Sequence, residues 1–349
     1  MAKKVTKSLS FHLTCQNIIS LAIGIFIFTM FLLFPLYYDD FYYNILITKW
    51  DFYCKCGISI LTACVFLGLV FMFVDCTEMK GQNTKRLFSR LLPGNWRQTF
   101  TLADAAVLVF LIVCVISTLL SDYRVEAFTG IRGRRIGLAF TFLYVSVYFL
   151  VSRFWKAKNW LFEVFLISGI MVCILGIGDY FHLDWLGFHE RISEEHMDIY
   201  VSTIGNINTY TAYVALVMGF ASAMYAGADK TWKAIWYYAC MVISFFAIIM
   251  GCSDNAYLAL GALFGFLPLL TFGDGKGIYR YFVMVATFFT VVLCIDWLNG
   301  RFASIVIGLD SLFRVIASQK ALLPGVCVLW AIAAGLFFWD QKNGNGYFQ

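Results

Sequence analysis

The sequence predicts an all-α, polytopic membrane protein of about ten transmembrane helices, with both termini on the inner face. Three observations carry this reading. Hydrophobic residues fill 61% of the 349 positions and charged residues only 13%, with a mean hydropathy of +0.78. That balance is foreign to soluble domains of this size. The apolar residues also come in runs of about 20, the length a helix needs to cross hydrocarbon. Finally, the 26 Lys and Arg divide unevenly between alternate connectors, sixteen on the side of the N-terminus and ten on the other. Four of those ten fall in one short loop, so the remaining asymmetry sets the N-terminus inside.

The runs centre on 17–37, 56–75, 102–120, 136–152, 160–179, 206–226, 234–251, 255–272, 280–297 and 321–339. The first begins near Asn17 and ends at Phe34-Pro35-Leu36-Tyr37-Tyr38 without a small-residue cleavage site, so it is expected to stay as a helix rather than leave as a signal peptide. A barrel is excluded because the runs lack period-two alternation, and an open sheet edge finds no partner in lipid. No long repeat or linker interrupts them, and residues 1–349 are expected to form a single transmembrane domain. The net charge of +5 is spread over short connectors. No basic face is left for nucleic acid. The eleven cysteines mostly sit inside apolar runs, where they act as small hydrophobes. Cys54, Cys56 and Cys252 fall in outer connectors, and free thiols are the expectation for them too.

The outer connectors differ in kind. Residues 38–55 are rich in Tyr, Phe and Trp, the composition of an interfacial belt. Residues 180–203 are polar and hold His182, His189 and His196, which recur every seven positions. On one helix they would stand ~10 Å apart along the axis, too far to share a metal. Residues 299–320 carry Phe302, Ile305, Val306, Leu309, Leu312, Phe313 and Ile316 at helical spacing. They read as an amphipathic surface helix over roughly 301–318.

The connector Ser121–Gly137, SDYRVEAFTGIRGRRIG, is the chemical focus. It gathers Arg124, Arg132, Arg134 and Arg135 on the face where arginine is disfavoured. Gly130, Gly133 and Gly137 break a regular helix and let the backbone approach a ligand closely. A guanidinium forks onto phosphate with two hydrogen bonds, so the expected ligand is a lipid-linked phosphate or pyrophosphate. The competing use is snorkelling to lipid headgroups. No Gly-Lys-Ser/Thr ending marks a nucleotide loop. Further along, Asn206 stands at the start of the sixth run, as an N-cap or as a contact to sugar or phosphate. Gly251–Ala256 reads as a tight turn.

Three stretches in this order, SDYRVEAFTGIRGRRIG, STIGNINTYTAYVAL and GCSDNAYLALGAL, resemble the bacterial O-antigen ligase and polymerase superfamily, over roughly residues 115–265. Ala127, Gly130, Arg134, Gly137, Gly205, Asn206, Asn208 and Ser253 carry the likeness. Asp254 and Asn255 stand where the family turn holds Arg, and no His follows His196. The chain therefore reads as a divergent or truncated relative. The resemblance implies a multi-span membrane glycosyltransferase of cell-envelope polysaccharide synthesis. Such an enzyme moves a glycan from a polyprenyl pyrophosphate carrier to an acceptor hydroxyl, with its site on the outer face of the inner membrane.

Under that reading Arg124, Arg132, Arg134, Arg135, Arg191, Asn206 and Asn208 bind the pyrophosphate and glycan. His189, beside Glu190, is the candidate general base. No metal or other cofactor is expected if arginine neutralises the leaving group. Other expected partners are membrane lipids. The rival readings are a transporter of lipid-linked glycan or anions, and a non-catalytic subunit of an envelope glycan complex.

Overall fold

A computed structural model describes residues 2–90, 99–131 and 134–343. The chain is 79% helical with almost no strand. Ten main helices follow the ten apolar runs. They are α1 (Ala2–Phe28), α2 (Ile45–Met79), α4 (Leu102–Leu120), α6 (Leu138–Phe154), α7 (Asn159–Tyr180), α8 (Ile207–Gly227), α9 (Thr231–Met250), α10 (Asn255–Thr271), α11 (Gly275–Arg301) and α13 (Leu322–Asn343). Between them lie the short α3 (Gln82–Arg90), α5 (Arg124–Thr129) and α12 (Ser311–Ala317). Among the described residues, eight helices are long and apolar enough to cross a membrane, while α6 and α10 are shorter apolar helices. The protein is therefore built as a membrane-embedded helical chain.

Local chemistry sets the helix ends. Thr101 and Asp104 form a reciprocal capping box at the start of α4. Asp274 accepts the Gly277 N–H at 2.6 Å and caps α11. α1 ends through a π turn, Thr29–Leu33, in which the Phe34 N–H bonds to the Thr29 carbonyl. Pro35, which has no N–H to give, follows at once.

The chain groups into two compact units. Unit 1 comprises Met1–Phe34 and Leu46–Phe162. Its core joins Ile23, Phe26, Ile60, Val147, Leu150 and Leu161. Asp104 is buried and accepts from Tyr148 at 3.0 Å and from Arg153 at 2.6 Å. A carboxylate inside an apolar run is thus fully partnered.

Unit 2 comprises Pro35–Ile45 and Glu163–Gln349. Its core is larger and centres on Tyr210, Val214, Met241, Phe245, Met284 and Val292. Here α7 and α8 touch closely. A Cβ on Gly169 would meet Val217 at 2.6 Å, and one on Gly176 would meet the Tyr210 ring at 2.3 Å. Small residues let helix backbones approach in lipid. Glu163 accepts from Trp236 at 3.0 Å and from Tyr237 at 2.5 Å. At the far end of α8, buried Arg280 donates to the carbonyls of Tyr225, Ala226 and Ala228 at 2.7, 3.2 and 2.7 Å.

Two sequence expectations change. The stretch 38–55 is not all connector, because α2 already starts at Ile45. Nothing between Asn44 and Gly57 breaks a helix. The helix expected over 301–318 is also interrupted. After α11 the chain leaves helical geometry, passes Gly308 at φ +96°, and re-enters helix only at Ser311. Asp310 stops the longer helix by acting as an N-cap, accepting the Ser311 N–H at 2.6 Å. Leu309 and Phe313 still turn into the core. A two-residue antiparallel pair, Tyr200–Val201 with Gly205–Asn206, folds the chain back just before α8.

Candidate functional site

The arginine loop lies in unit 1. α5 presents Arg124, and Gly130 ends it at φ +86°. The loop closes where Gly130 and Gly137 meet. A Cβ on Gly137 would lie 2.4 Å from the Gly130 nitrogen and the Phe128 oxygen, and one on Gly130 would lie 2.5 Å from the Arg135 carbonyl carbon. Only glycine fits both positions. Arg135 sits at φ +49°, with its guanidinium 5.2 Å from the centre of the Trp50 ring. The Trp50 indole N–H donates to the Arg135 carbonyl at 3.1 Å. Trp50 on α2 therefore holds the loop from below, by cation–π contact and by hydrogen bond. Arg124 and Arg134 are exposed, and among the described residues neither has a carboxylate at ion-pair distance. Arg132 and Gly133 lie outside the described residues.

The remaining predicted residues lie in unit 2, in a polar cap at one end of its helices. The cap is laced by long-range bonds. Tyr42 donates to the Ser202 carbonyl at 2.8 Å, Thr203 to the Pro35 carbonyl at 2.8 Å, and Tyr180 to Asn299 at 2.6 Å. Cys252 donates to the Gly308 carbonyl at 3.3 Å. Burial pushes that thiol up to about 12, so it is a poor nucleophile. All eleven cysteines are free thiols.

Two of the family-like stretches meet in this cap. Asn206 caps α8, accepting the Asn208 and Thr209 N–H groups at 3.0 and 3.4 Å. Asn208 accepts from buried Ser253 at 2.8 Å, and its carbonyl accepts from Asn255 at 3.4 Å. The start of α8 and the Gly251–Ala256 turn are thereby tied together.

Around residues 180–200 the three histidines take separate partners. His182 contacts the Ile305 carbonyl at 3.0 Å and Asp198 at 3.5 Å. His196 faces a cavity of about 500 Å³ that Tyr42, Phe188, Arg191 and Tyr200 also line. Arg191 is neutralised by Asp40 at 3.2 Å and lies over the Phe41 ring. His189 is buried, with Nε2 3.0 Å from the Tyr200 carbonyl and Nδ1 3.2 Å from Asp184. Neither ring nitrogen faces open space. Glu190, in contrast, is exposed, and among the described residues its side chain makes no ion pair or hydrogen bond. A second, apolar cavity of about 720 Å³ in unit 1 is lined by Leu21, Ile25, Phe28, Trp155 and Trp160, and holds none of the predicted residues.

Sequence reasoning missed Asp179 and Asp184. Their carboxylates and His189 bring one ligand-type atom each within 4.8 Å of one another. The seven-residue histidine spacing gave no hint of this set. One signal was available: Asp179 stands in the last turn of α7, where the helix dipole disfavours an anion. An acid there requires a compensating partner. Tyr42 borders the same cluster. Burial, then the charges of Asp179 and Asp184, hold its phenol well above the ordinary range.

No family model matches the chain, and no curated protein or solved structure matches it either.

Proposed function

We propose that the chain is a membrane glycan-transfer protein of the O-antigen ligase and polymerase type, acting on a polyprenyl pyrophosphate carrier. The observation that carries this is the glycine-necked loop bearing Arg124, Arg134 and Arg135, none of which has a carboxylate at ion-pair distance among the described residues. The tie between Asn208 and Ser253 supports it, since those residues belong to the other two family-like stretches. In this reading all ten main helices span the inner membrane. α6 and α10, at 17 residues each, rise about 26 Å, enough for a thin or tilt-free crossing. Both termini are inside and the arginine loop is outside. A cysteine-free protein carrying Thr129→Cys is expected to react with a membrane-impermeant maleimide in intact cells. Labelling only after permeabilisation would reverse the topology.

The chemistry is a displacement at the anomeric carbon. The acceptor oxygen bonds to that carbon, the bond to the pyrophosphate oxygen breaks, and its electron pair leaves on the pyrophosphate. Arginines hold the departing charge. The acceptor proton needs a base. Of the two candidates His189 and Glu190, His189 has both ring nitrogens engaged and Glu190 is exposed, so Glu190 is the base to test. Glu190→Gln is expected to slow transfer by ~10²–10⁴-fold with carrier binding retained. The readout is transfer by purified protein from a lipid-linked glycan. Undiminished turnover would remove Glu190 from the mechanism. The engagement of His189 also favours the partner-subunit reading, and carrier binding without transfer by the wild type would establish it.

A further inference from the structure

The geometry at the start of the 180–200 segment asks for a cation. His189 Nε2 lies 3.0 Å from the Tyr200 carbonyl, an atom that only accepts, so Nε2 carries hydrogen. In the neutral ring Nδ1 is then a lone pair, and it points at the Asp184 carboxylate 3.2 Å away. Two acceptors face each other unless something positive lies between them. A second ring proton would serve only one of the carboxylates, and Asp179 brings another into the same cluster, with its ligand atom within 4.8 Å of the others. Among the described residues, no Lys or Arg is at ion-pair distance from Asp179 or Asp184. Neighbouring Arg191 is spent on Asp40.

The supports around the three side chains are those of a ligand set. A metal-bound imidazole usually donates its other N–H to a carbonyl or carboxylate, which fixes its tautomer. Asp184 is anchored by the Phe188 and His189 N–H groups at 2.8 and 3.1 Å. Asp179 is anchored by the Ser202 N–H at 2.6 Å. The Tyr42 ring packs against the His189 ring at a centroid distance of 5.2 Å and limits its rotation. Donor atoms on one tetrahedral ion with ~2.1 Å bonds stand about 3.4 Å apart. Atoms already within 4.8 Å close on an ion by small side-chain rotations.

We propose that Asp179, Asp184 and the Nδ1 atom of His189 bind a divalent transition-metal cation, with water completing the shell. One imidazole and two carboxylates suit zinc or manganese. The site stands apart from the glycan-transfer reading and survives its failure.

The test uses the full chain, purified in detergent and stripped with a chelator. Adding Zn²⁺ and desalting is expected to leave one equivalent bound. Co²⁺, as a spectroscopic stand-in, is expected to give visible d–d bands from a nitrogen–oxygen site. His189→Ala and Asp179→Asn are each expected to weaken binding at least ~100-fold. Glu195→Gln, an exposed acid outside the cluster, is expected to bind as the wild type does. Circular dichroism of the metal-free variants reports whether they fold. If His189→Ala does not fold, Asp179→Asn and the wild-type cobalt spectrum decide. No retained metal in the wild type, or equal binding in folded His189→Ala, would overturn the site and leave His189 as a direct partner of Asp184.

Discussion

Arg280→Met is expected to destabilise unit 2 by about 2–4 kcal/mol, since hydrogen bonds from a charged donor contribute ~1.5–3 kcal/mol and orphaned buried acceptors cost ~1–3 kcal/mol each. Arg280 is only 7% exposed, and one of its nitrogens reaches three carbonyls at the end of α8. The last carbonyls of a helix lack the usual intrahelical donor; of these three, that of Tyr225 also accepts the Ala228 N–H at 3.3 Å. The guanidinium also lies 5.3 Å from the centre of the Tyr225 ring. Methionine fills similar volume and donates nothing. Lysine retains a charge and three donors without the planar fork, so Arg280→Lys is expected to recover part of the loss. Thermal unfolding in detergent, followed by circular dichroism, separates the three proteins. A midpoint for Arg280→Met within error of the wild type would mean that water already satisfies the α8 carbonyls.

The larger effect on binding is expected in the arginine loop. Each guanidinium on a pyrophosphate oxygen is worth ~1.5–3 kcal/mol, about 10–150-fold in affinity. Neighbouring contacts do not add fully. Changing Arg132, Arg134 and Arg135 together to Gln is therefore expected to weaken polyprenyl pyrophosphate binding by at least ~100-fold. Affinity for the uncharged polyprenol should stay the same. Lysine at all three positions is expected to fall between, because charge survives and the fork does not. Equal affinity of the Gln variant and the wild type would make the loop an interfacial anchor.

The helices were legible because lipid allows few alternatives. A run of twenty apolar residues must satisfy its own backbone, and only a helix does so within one segment. Asn206 as an N-cap was legible because its chemistry is local. Gly130 and Gly137 predict a backbone that a ligand can approach, whereas their close approach to each other shows only in the folded chain. The 301–318 stretch misled because its apolar period persists through a break. Leu309 and Phe313 face the core on either side of a cap that Asp310 makes, and the period does not record where the backbone leaves the helix. The cap of unit 2 was illegible for a different reason. Tyr42 meets Ser202 across 160 positions, and Asp179 meets His189 only after the chain turns through Asp184. Nothing in linear spacing encodes such meetings.

The length of α2 fixes a depth. Of its 35 residues, 57–74 carry no charge and rise about 27 Å, close to the ~30 Å of hydrocarbon. Its first three turns, which hold Lys49, Asp51 and Lys55, continue as rigid helix beyond that span. Trp50 stands seven residues above Gly57, roughly 10 Å along the axis. With 57–74 in hydrocarbon, the Arg135 guanidinium resting on Trp50 is carried to the level of lipid phosphates. Under the proposed function, a stalk of that height would select by distance, meeting the phosphate end of a lipid-linked glycan while its sugars extend past it into water.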